Sequence, residues 1–298
     1  MNREEFIISV YCLVCEHYQA LFAKQRVRQR GFDPRFTDEE VLTLEICGAY
    51  LGLHEEEALY AYFSEHWRHF FPELPSRSTF VRQAANLWQV KRLLQRRLIH
   101  VSGQIDDEVH LIDTLPLPVC TYTRARRDRC FAGEADYGYC AAKKLHYYGF
   151  KLGLRLSRDG MILDYSLLPA RPHDSQLLDD LIDGYEGIVV GDKGFLDTAR
   201  QLNLPAARNV RLITPTHKNM AQQPTPEEQH LYRCWRKRLE TVGSHLTERF
   251  QIDHTRAHDL WHYQHRLLRK VLAHTLCVFL NLLLGRPPLD LDDLVLVQ

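Results

Sequence analysis

A short β-branched run, Ile188–Val190, is followed at once by Gly191 and Asp192, and this succession restricts the fold more than any other stretch. Such a run is typical of a buried strand, and the glycine marks a turn or a close backbone approach. An acidic residue there lies at the edge where open α/β sheets bind ligands. An ordinary strand-to-helix turn, in which Asp192 caps the next segment, fits the same pattern. A function for Asp192 therefore depends on whether other acids join it.

Helical periodicity dominates the first 104 residues. Apolar residues recur at helical spacing over 3–28, Thr37–Glu40 is a capping-box signature, and further helical patterns cover 55–71 and the segment after Ser76. The last pattern carries the basic residues Arg77, Arg82, Lys91, Arg92, Arg96 and Arg97. Three helices with a late basic one resemble a helix-turn-helix DNA-binding domain, and a helical bundle with a solvated basic face explains the pattern equally well. We predict an all-α domain over 1–104 with both interpretations open.

From about residue 105 the pattern changes from helical to alternating. The predicted elements are, in order, strands at 108–116, 146–157 and 161–169, a helix from His173, a strand at 188–190, a short helix at 198–202, a strand at 210–214, and long helices at 227–250 and 259–284. Pro116 and Pro118 are expected to end the first strand, and an Asp-Gly turn joins the second to the third. This is the element order of a ribonuclease-H-like mixed α/β sheet. We predict that this core covers 105–286, before an acidic tail over 287–298.

Two further acids can join Asp192 in such a fold. The first strand lies at the centre of the sheet and the fourth beside it, so Asp113 and Asp192 are expected to meet. Glu240, on a helix packed across the sheet, is the natural third acid, with Arg236 four residues before it on the same helical face. Asp174 is interpreted as a helix N-cap, and a supporting position beside the acids is the alternative.

Three converging carboxylates repel one another, at a cost of about 4 kcal/mol for each pair some 4 Å apart in an effective dielectric near 20. Divalent cations relieve this repulsion, and carboxylate oxygens are ligands that suit Mg²⁺. The sequence therefore predicts a pair of Mg²⁺ (or Mn²⁺) ions held by Asp113, Asp192 and Glu240. Such ions support in-line phosphoryl transfer to a water molecule or a 3′-hydroxyl.

Lysine plus arginine and aspartate plus glutamate number 38 each, so DNA would have to bind to local basic patches. One patch between the first two predicted strands consists of Arg124, Arg126, Arg127 and Arg129, followed by Lys143 and Lys144. Contact with the phosphate backbone is one interpretation of this loop, and simple solvation is the other. Lys193 and Arg236, which neighbour the acids, complete the predicted DNA contacts.

The eight cysteines follow no disulfide-framework spacing, and no secretory signal precedes them. We therefore expect a cytoplasmic protein associated with the nucleoid. The most apolar stretch, Val271–Leu284, is too short to span a membrane, so we expect a buried helix there and no membrane partner.

Four segments together resemble a DDE transposase of a bacterial insertion sequence, most closely the insertion sequence 982 family. They are Leu111–Cys120, Tyr147–Lys151, Gly191–Phe195 and Arg236–Thr241. The resemblance implies that Asp113, Asp192 and Glu240 are the catalytic, metal-binding acids. It further implies a homo-oligomer on DNA that binds the terminal inverted repeats of its own element and target DNA, and that cleaves and joins strands.

One part of the family pattern is not met. Related elements carry tyrosine, arginine, glutamate and lysine around the third acid; Arg236 and Glu240 fit, but Arg233 stands at the tyrosine position and Thr247 at the lysine position. Two alternatives therefore stay open. One is another Mg²⁺-dependent nuclease on the same fold, and the other is a protein that binds element ends without catalysis.

Overall fold

The structure is a computed structural model that describes residues 1–24, 27–28, 33–140, 144–196, 198–215 and 224–295. For residues 198–202 it describes the backbone only. Its contacts form two compact units. The helical unit comprises Met1–Ser102, His245–Ile252 and Trp261–Gln298, and the sheet unit comprises Gly103–Ser244 and Asp253–Leu260. The predicted domain limits 1–104, 105–286 and 287–298 stay a prediction, since the compact units divide the chain differently.

In the part of Met1–Ser102 that the structure describes, the helical unit has five α-helices: α1 Arg3–Phe22, α2 Asp38–Tyr50, α3 Glu56–His66, α4 Arg77–Asn86 and α5 Trp88–Ser102. The predicted capping box is confirmed, because Thr37 accepts from the Glu40 backbone N–H at 3.2 Å while Glu40 accepts from the Thr37 N–H at 2.6 Å. The helix predicted after Ser76 is in fact two helices, α4 and α5. Whether they act as a helix-turn-helix reader stays a prediction.

One residue of the predicted basic face does not face solvent. Lys91 is fully buried, and its Nζ lies 2.5 Å from Oε2 of the equally buried Glu45 and 3.0 Å from Nδ1 of His265. Burial lowers the pKa of Lys91 to about 8, against the attraction of Glu45. Lys91 therefore belongs to the interior of the helical unit and is not available to DNA.

Over its described residues the sheet unit contains six strands: β1 Val109–Thr121, β2 Asp136–Cys140, β3 Leu145–Leu156, β4 Ile162–Pro169, β5 Gly187–Gly191 and β6 Val210–Ile213. They are ordered β2-β3-β1-β5-β6, and β4 also pairs with β3. β1, β2, β3 and β4 pair antiparallel, whereas β5 is parallel to β1 and β6 is parallel to β5. This mixed sheet with its helices is the predicted ribonuclease-H-like fold, and β2 is a strand that the sequence pattern did not predict.

The prediction that Pro116 and Pro118 end the first strand is wrong. β1 continues through both prolines to Thr121, with Pro116 opposite Lys151 and Pro118 opposite Gly149 in β3. On its other side β1 pairs with β5 only as far as Ile112. Among the described residues no strand pairs with that side of β1 beyond Ile112, so β1 is an edge strand there and a proline leaves no ladder hydrogen bond unmade.

The sheet unit also contains the helices α6 Leu178–Leu181, α7 Thr198–Arg208 and α8 Pro226–Ser244. A π-helical turn at His245–Arg249 and the helix α9 Leu260–Leu283 follow along the chain. α8 packs against β1 and β5 through its buried Leu239 and Val242. The buried helix predicted over Val271–Leu284 is confirmed through Asn281, whereas Leu283 and Leu284 are exposed. From Trp261 onward α9 belongs to the helical unit. In the described part of the chain no helix is long and apolar enough to cross a bilayer.

The predicted acidic tail is not a free tail over its described residues. Leu291, Leu294 and Val295 are buried in the helical unit. The Tyr50 hydroxyl donates to the Leu291 carbonyl at 2.7 Å and accepts from the Val295 N–H at 3.2 Å. These contacts explain why the segment after α9 clusters with the N-terminal helices.

Candidate active site

The parallel pairing of β1 with β5 brings two of the predicted acids together. Ile112 pairs with Gly191 in this ladder, so the next residues, Asp113 within β1 and Asp192 directly after β5, lie side by side. Neighbouring strands lie about 4.8 Å apart, and residues at one level of a parallel ladder point to the same face. Asp192 is exposed and makes no side-chain cap to the turn that follows, so the capping alternative for this residue does not hold.

Glycine at 191 follows from the same close packing. A Cβ at this position would lie 2.8 Å from Cγ1 of Ile112 and 3.2 Å from the ring of Phe195. A side chain here would push β5 away from β1 or displace Phe195, which is buried in the core beneath the sheet. Gly191 thus permits tight core packing at the end of β5, directly before the acidic residue Asp192.

Asp174 is a carboxylate that reaches this edge from the opposite face of the sheet. Its Oδ2 accepts from the Thr114 hydroxyl at 3.2 Å, and its Oδ1 lies 2.5 Å from Lys151 Nζ. Thr114 alternates with Asp113 along β1 and therefore points to the other face. Asp174 Oδ2 also fills the space beside Gly194, where a Cβ would come within hard contact of it. Asp174 thus lies against Thr114, directly after Asp113, and against Gly194, two residues after Asp192.

The N-cap interpretation of Asp174 is therefore wrong. The cap of the short 3₁₀ helix Asp174–Gln176 is His173, whose side chain accepts from the Ser175 N–H at 3.4 Å. Asp174 instead fits the supporting position that the sequence left as the alternative. The charge-assisted contact with Lys151 stabilises the Asp174 carboxylate more than a hydrogen bond to a neutral N–H of a helix cap would.

The third predicted acid, Glu240, lies on α8. Leu239 and Val242 hold α8 on the sheet, and a Cβ at Gly243 would lie 3.6 Å from the Leu115 side chain on β1, in ordinary van der Waals contact. Leu115 shares its face of β1 with Asp113, so α8 covers the face from which Asp113 projects. Glu240 is exposed, and its Oε1 accepts from Arg236 Nε at 2.8 Å.

Tyr232 connects α8 to the strand acids. Its hydroxyl donates to Asp192 Oδ1 at 3.3 Å and accepts from Arg236 at 3.5 Å. Tyr232, Arg236 and Glu240 are spaced by four residues and form one stripe along the helix. The tyrosine that the family pattern leads us to expect at position 233 thus has a counterpart one place earlier in contact with an acid.

The electrostatics identify Asp113 as the centre of this group. Burial, together with the negative charges of Asp192, Asp174 and Glu240, raises the pKa of Asp113 to about 7. The N–H of Thr114, which donates to Asp113 Oδ1 at 2.8 Å, acts in the opposite direction. Four carboxylates are therefore close enough to influence one another, although Glu240 and Asp174 each have a cation of their own.

The donor set suits a divalent cation. Asp113 and Asp192 form no ion pair with any of the residues described, and their oxygens are hard ligands of the kind that Mg²⁺ takes. Within the described ranges, however, no three histidine, cysteine, aspartate or glutamate side chains stand as a ready-made metal group. Glu240 is directed to Arg236 instead, and this ion pair removes the like-charge repulsion that a third free carboxylate would meet.

The predicted basic loop lies at the far end of β1. A 3₁₀ helix over Tyr122–Arg127 follows the strand, and Arg124, Arg126, Arg127 and Arg129 are all exposed. Among the residues that the structure describes, none of these four guanidinium groups has an ion-pair partner. Asp113 and Thr121 are eight positions apart, which places the loop roughly 26 Å along the strand from Asp113 rather than directly beside it.

The remaining predicted DNA contacts have different surroundings. Lys193 and Lys144 are exposed, the first directly after Asp192 and the second before β3. Arg236 is engaged by Glu240 and Tyr232. Lys143 lies outside the described residues. The sequence did not predict a role for Lys151 or Tyr232, and the Tyr147–Lys151 segment of the resemblance was the one signal that could have drawn attention to Lys151.

Comparison with curated proteins returned no match, and comparison with solved structures returned none either. A family model described as "Transposase DDE domain" matches residues 102–260. The matched range is more than half of the 298-residue chain and contains the strands β1 to β6 together with α8. The chain therefore belongs to the family of transposases with a DDE domain.

Proposed function

We propose that this transposase binds the ends of its own mobile element and catalyses Mg²⁺-dependent cleavage and strand transfer of DNA, as a member of a group like the insertion sequence 982 family of bacteria. The observation that carries the proposal is the pairing of Ile112 with Gly191, which sets Asp113 and Asp192 side by side under α8. DNA is the partner that a transposase domain implies. We further propose that the protein acts on DNA as a homo-oligomer.

In this proposal Asp113, Asp192 and Glu240 are the catalytic acids and would hold one or two divalent cations. A bound Mg²⁺ or Mn²⁺ ion would supply Lewis-acid activation and neutralise charge that develops on the phosphate. Glu240 would have to leave Arg236 to join the other two acids. Arg236 would then be free for a DNA phosphate, and Tyr232 would continue to orient Asp192 through its hydroxyl.

Cations around the acids would hold the DNA. Lys193 is exposed beside Asp192 and carries a point charge suited to a phosphate. The four arginines after β1 would contact the backbone about eight base pairs away, since 26 Å of strand spans that length at 3.4 Å for each pair. Contacts to the backbone position DNA without reading its sequence.

The test is incubation of the purified protein with labelled element ends and Mg²⁺, followed by mapping of nicks and joined products. We expect both products from the wild type and neither from Asp113→Asn, which should still bind element ends because no phosphate contact is removed. Asp179→Asn, on a half-exposed aspartate of α6 that pairs with Arg208, is the matched control and should retain activity.

The products also separate the alternatives. Nicks without joined strands would favour a nuclease on the same fold. Binding without either product would favour a protein that recognises element ends only. If Asp113→Asn lost binding together with cleavage, Asp113 would be structural and the catalytic assignment would fail.

A further inference from the structure

We propose that the end of the sheet beyond Pro118 binds unpaired DNA nucleotides, whose bases stack on Tyr122, Tyr139 and His146 and whose phosphates contact the adjacent arginines. We call these three residues with Arg124, Arg126, Arg127 and Arg129 the aromatic tip. The inference rests on the proposed DNA-processing function, and it adds a ligand class that duplex backbone contact does not require.

The strand register places the rings on one face. Tyr139 is opposite His146 and Tyr137 is opposite Tyr148 in the β2–β3 ladder, so all four side chains project from the same side. The Tyr139 and His146 rings have centroids 4.5 Å apart. Tyr122 packs onto this face from the end of β1, with its ring 5.0 Å from Tyr137 and 5.9 Å from His146.

The outer rings are open to solvent, and the inner ones are anchored. Tyr122 is 53% exposed and Tyr139 is 56% exposed, and His146 is exposed between them. Tyr148 is buried, and its hydroxyl donates to the Phe131 carbonyl at 3.2 Å. Exposed aromatic rings that are held in place by buried neighbours form a surface on which another planar group can stack.

Positive charge surrounds these rings. Tyr122 opens the same 3₁₀ helix that carries Arg124, Arg126 and Arg127, and at about 2 Å of rise for each residue all three lie within roughly 10 Å of it along the helix. Asp128, the acid that follows this 3₁₀ helix, accepts the N–H groups of Cys130 and Phe131 at 2.8 Å and 3.3 Å, and Asp136 on β2 pairs with Arg171 at 3.0 Å. The aromatic tip is therefore a cationic surface with open rings.

Unpaired DNA is the occupant that this chemistry favours. Proteins that bind single strands combine a positive surface along the backbone with aromatic side chains that stack on bases. Bases in an intact duplex are already stacked on one another, so a duplex could use the arginines but not the faces of the rings. A protein partner would need a matching acidic surface to neutralise the four arginines, whereas the phosphates of DNA supply that negative charge.

The experiment measures binding of a fluorescein-labelled oligothymidylate of about 12 nucleotides, and of a duplex of equal length, by anisotropy in EDTA. Tyr122→Ala/Tyr139→Ala should weaken binding of the single strand about 10-fold or more and leave duplex binding within about 3-fold. Tyr122→Phe/Tyr139→Phe keeps the rings and should bind like the wild type. Tyr11→Ala removes an aromatic residue of α1 that is 39% exposed and is the control for loss of a ring elsewhere.

A second measurement does not depend on any variant. Photocrosslinking of the wild type to a single strand that contains 5-iodouracil should yield adducts on Tyr122, Tyr139 or His146. The inference fails if the alanine pair binds the single strand as tightly as the wild type, if both DNA forms weaken equally, or if all adducts lie elsewhere. Because EDTA prevents metal-dependent cleavage, these results stand apart from the cleavage assay, and either proposal can fail alone.

Discussion

Lys151 and Asp174 form an ion pair of 2.5 Å on the face of the sheet opposite to Asp113. Lys151 also donates to the Pro172 carbonyl at 2.8 Å, so the pair ties β3 to the segment that precedes α6. The other oxygen of Asp174 holds Thr114, the residue after Asp113, and lies against Gly194, two residues after Asp192. Asp174 is therefore placed to fix the backbone on which both acids stand.

We expect Asp174→Ala to lower the cleavage rate about 10- to 100-fold while element-end binding stays near wild type. The substitution removes the carboxylate that pairs with Lys151 and accepts from Thr114, so the two acids lose this support. A positioning role also predicts that more Mg²⁺ is needed for half-maximal activity, which a Mg²⁺ titration measures. Asp174→Asn keeps an acceptor for Thr114 and should recover part of the rate.

Asp179→Ala is the matched control, since Asp179 belongs to the same region but pairs with Arg208. Equal losses in both variants would mean a general loss of folding rather than a positioning role. An unchanged Mg²⁺ requirement in Asp174→Ala would likewise contradict it.

Arg126→Ala/Arg127→Ala should weaken binding to element ends and to unrelated duplex alike. Each arginine that contacts a phosphate contributes nearly one unit to the slope of log affinity against log salt, so the slope should become shallower by up to about two units. The measurement is a salt titration of binding. Arg92→Ala/Arg96→Ala, which removes two exposed arginines of α5, is the comparison. A change of slope in that pair alone would move the DNA path to the helical unit.

Lys91→Met should destabilise the helical unit by about 3–5 kcal/mol, because Glu45 would remain as a buried carboxylate without its cation. Replacing both partners, as Lys91→Met/Glu45→Leu, should recover most of this free energy of unfolding. Chemical denaturation of the two variants and the wild type tests both statements. A double variant no more stable than the single one would show that the lost charge was not the cause.

Acid should destabilise the sheet unit partly through His110. This side chain is buried and stacks on Tyr185 at 3.8 Å between ring centroids, and burial, aided by the charge of Arg155, lowers its pKa from 6.5 to about 3. The unfolded chain therefore takes up a proton between pH 6.5 and 3 that the folded chain does not. Stability contributed by neutral His110 is present above pH 6.5 and falls as the pH drops, by up to about 1.4 kcal/mol for each pH unit.

His110→Phe keeps the ring contact and removes the titration, so its stability should fall less steeply than that of the wild type across this pH range. His230→Phe, on an exposed histidine of α8, should follow the wild type. Parallel pH profiles for all three proteins would show that His110 is not responsible.

Local sequence patterns predict the helices, strands and turns, because hydrophobic periodicity and capping depend only on residues that are close in the sequence. The Thr37–Glu40 box, the turn at Asp159-Gly160 and the strand ending at Gly191-Asp192 all lie where the sequence predicts them. Since element order restricts the topology, Asp113 and Asp192 could also be expected on adjacent strands. These inferences need no knowledge of what packs against what.

Only the tertiary structure decides features that depend on a distant partner. β1 passes through two prolines because β5 ends at Gly191 and leaves that side of the strand unpaired. Lys91 is interior because Glu45 meets it there. Asp174 supports the acids rather than capping a helix because Lys151, 23 positions earlier, and Thr114, 60 positions earlier, converge on it. The role of a charged side chain and the pairing of a strand edge depend on residues distant in the sequence, which a local pattern does not reveal.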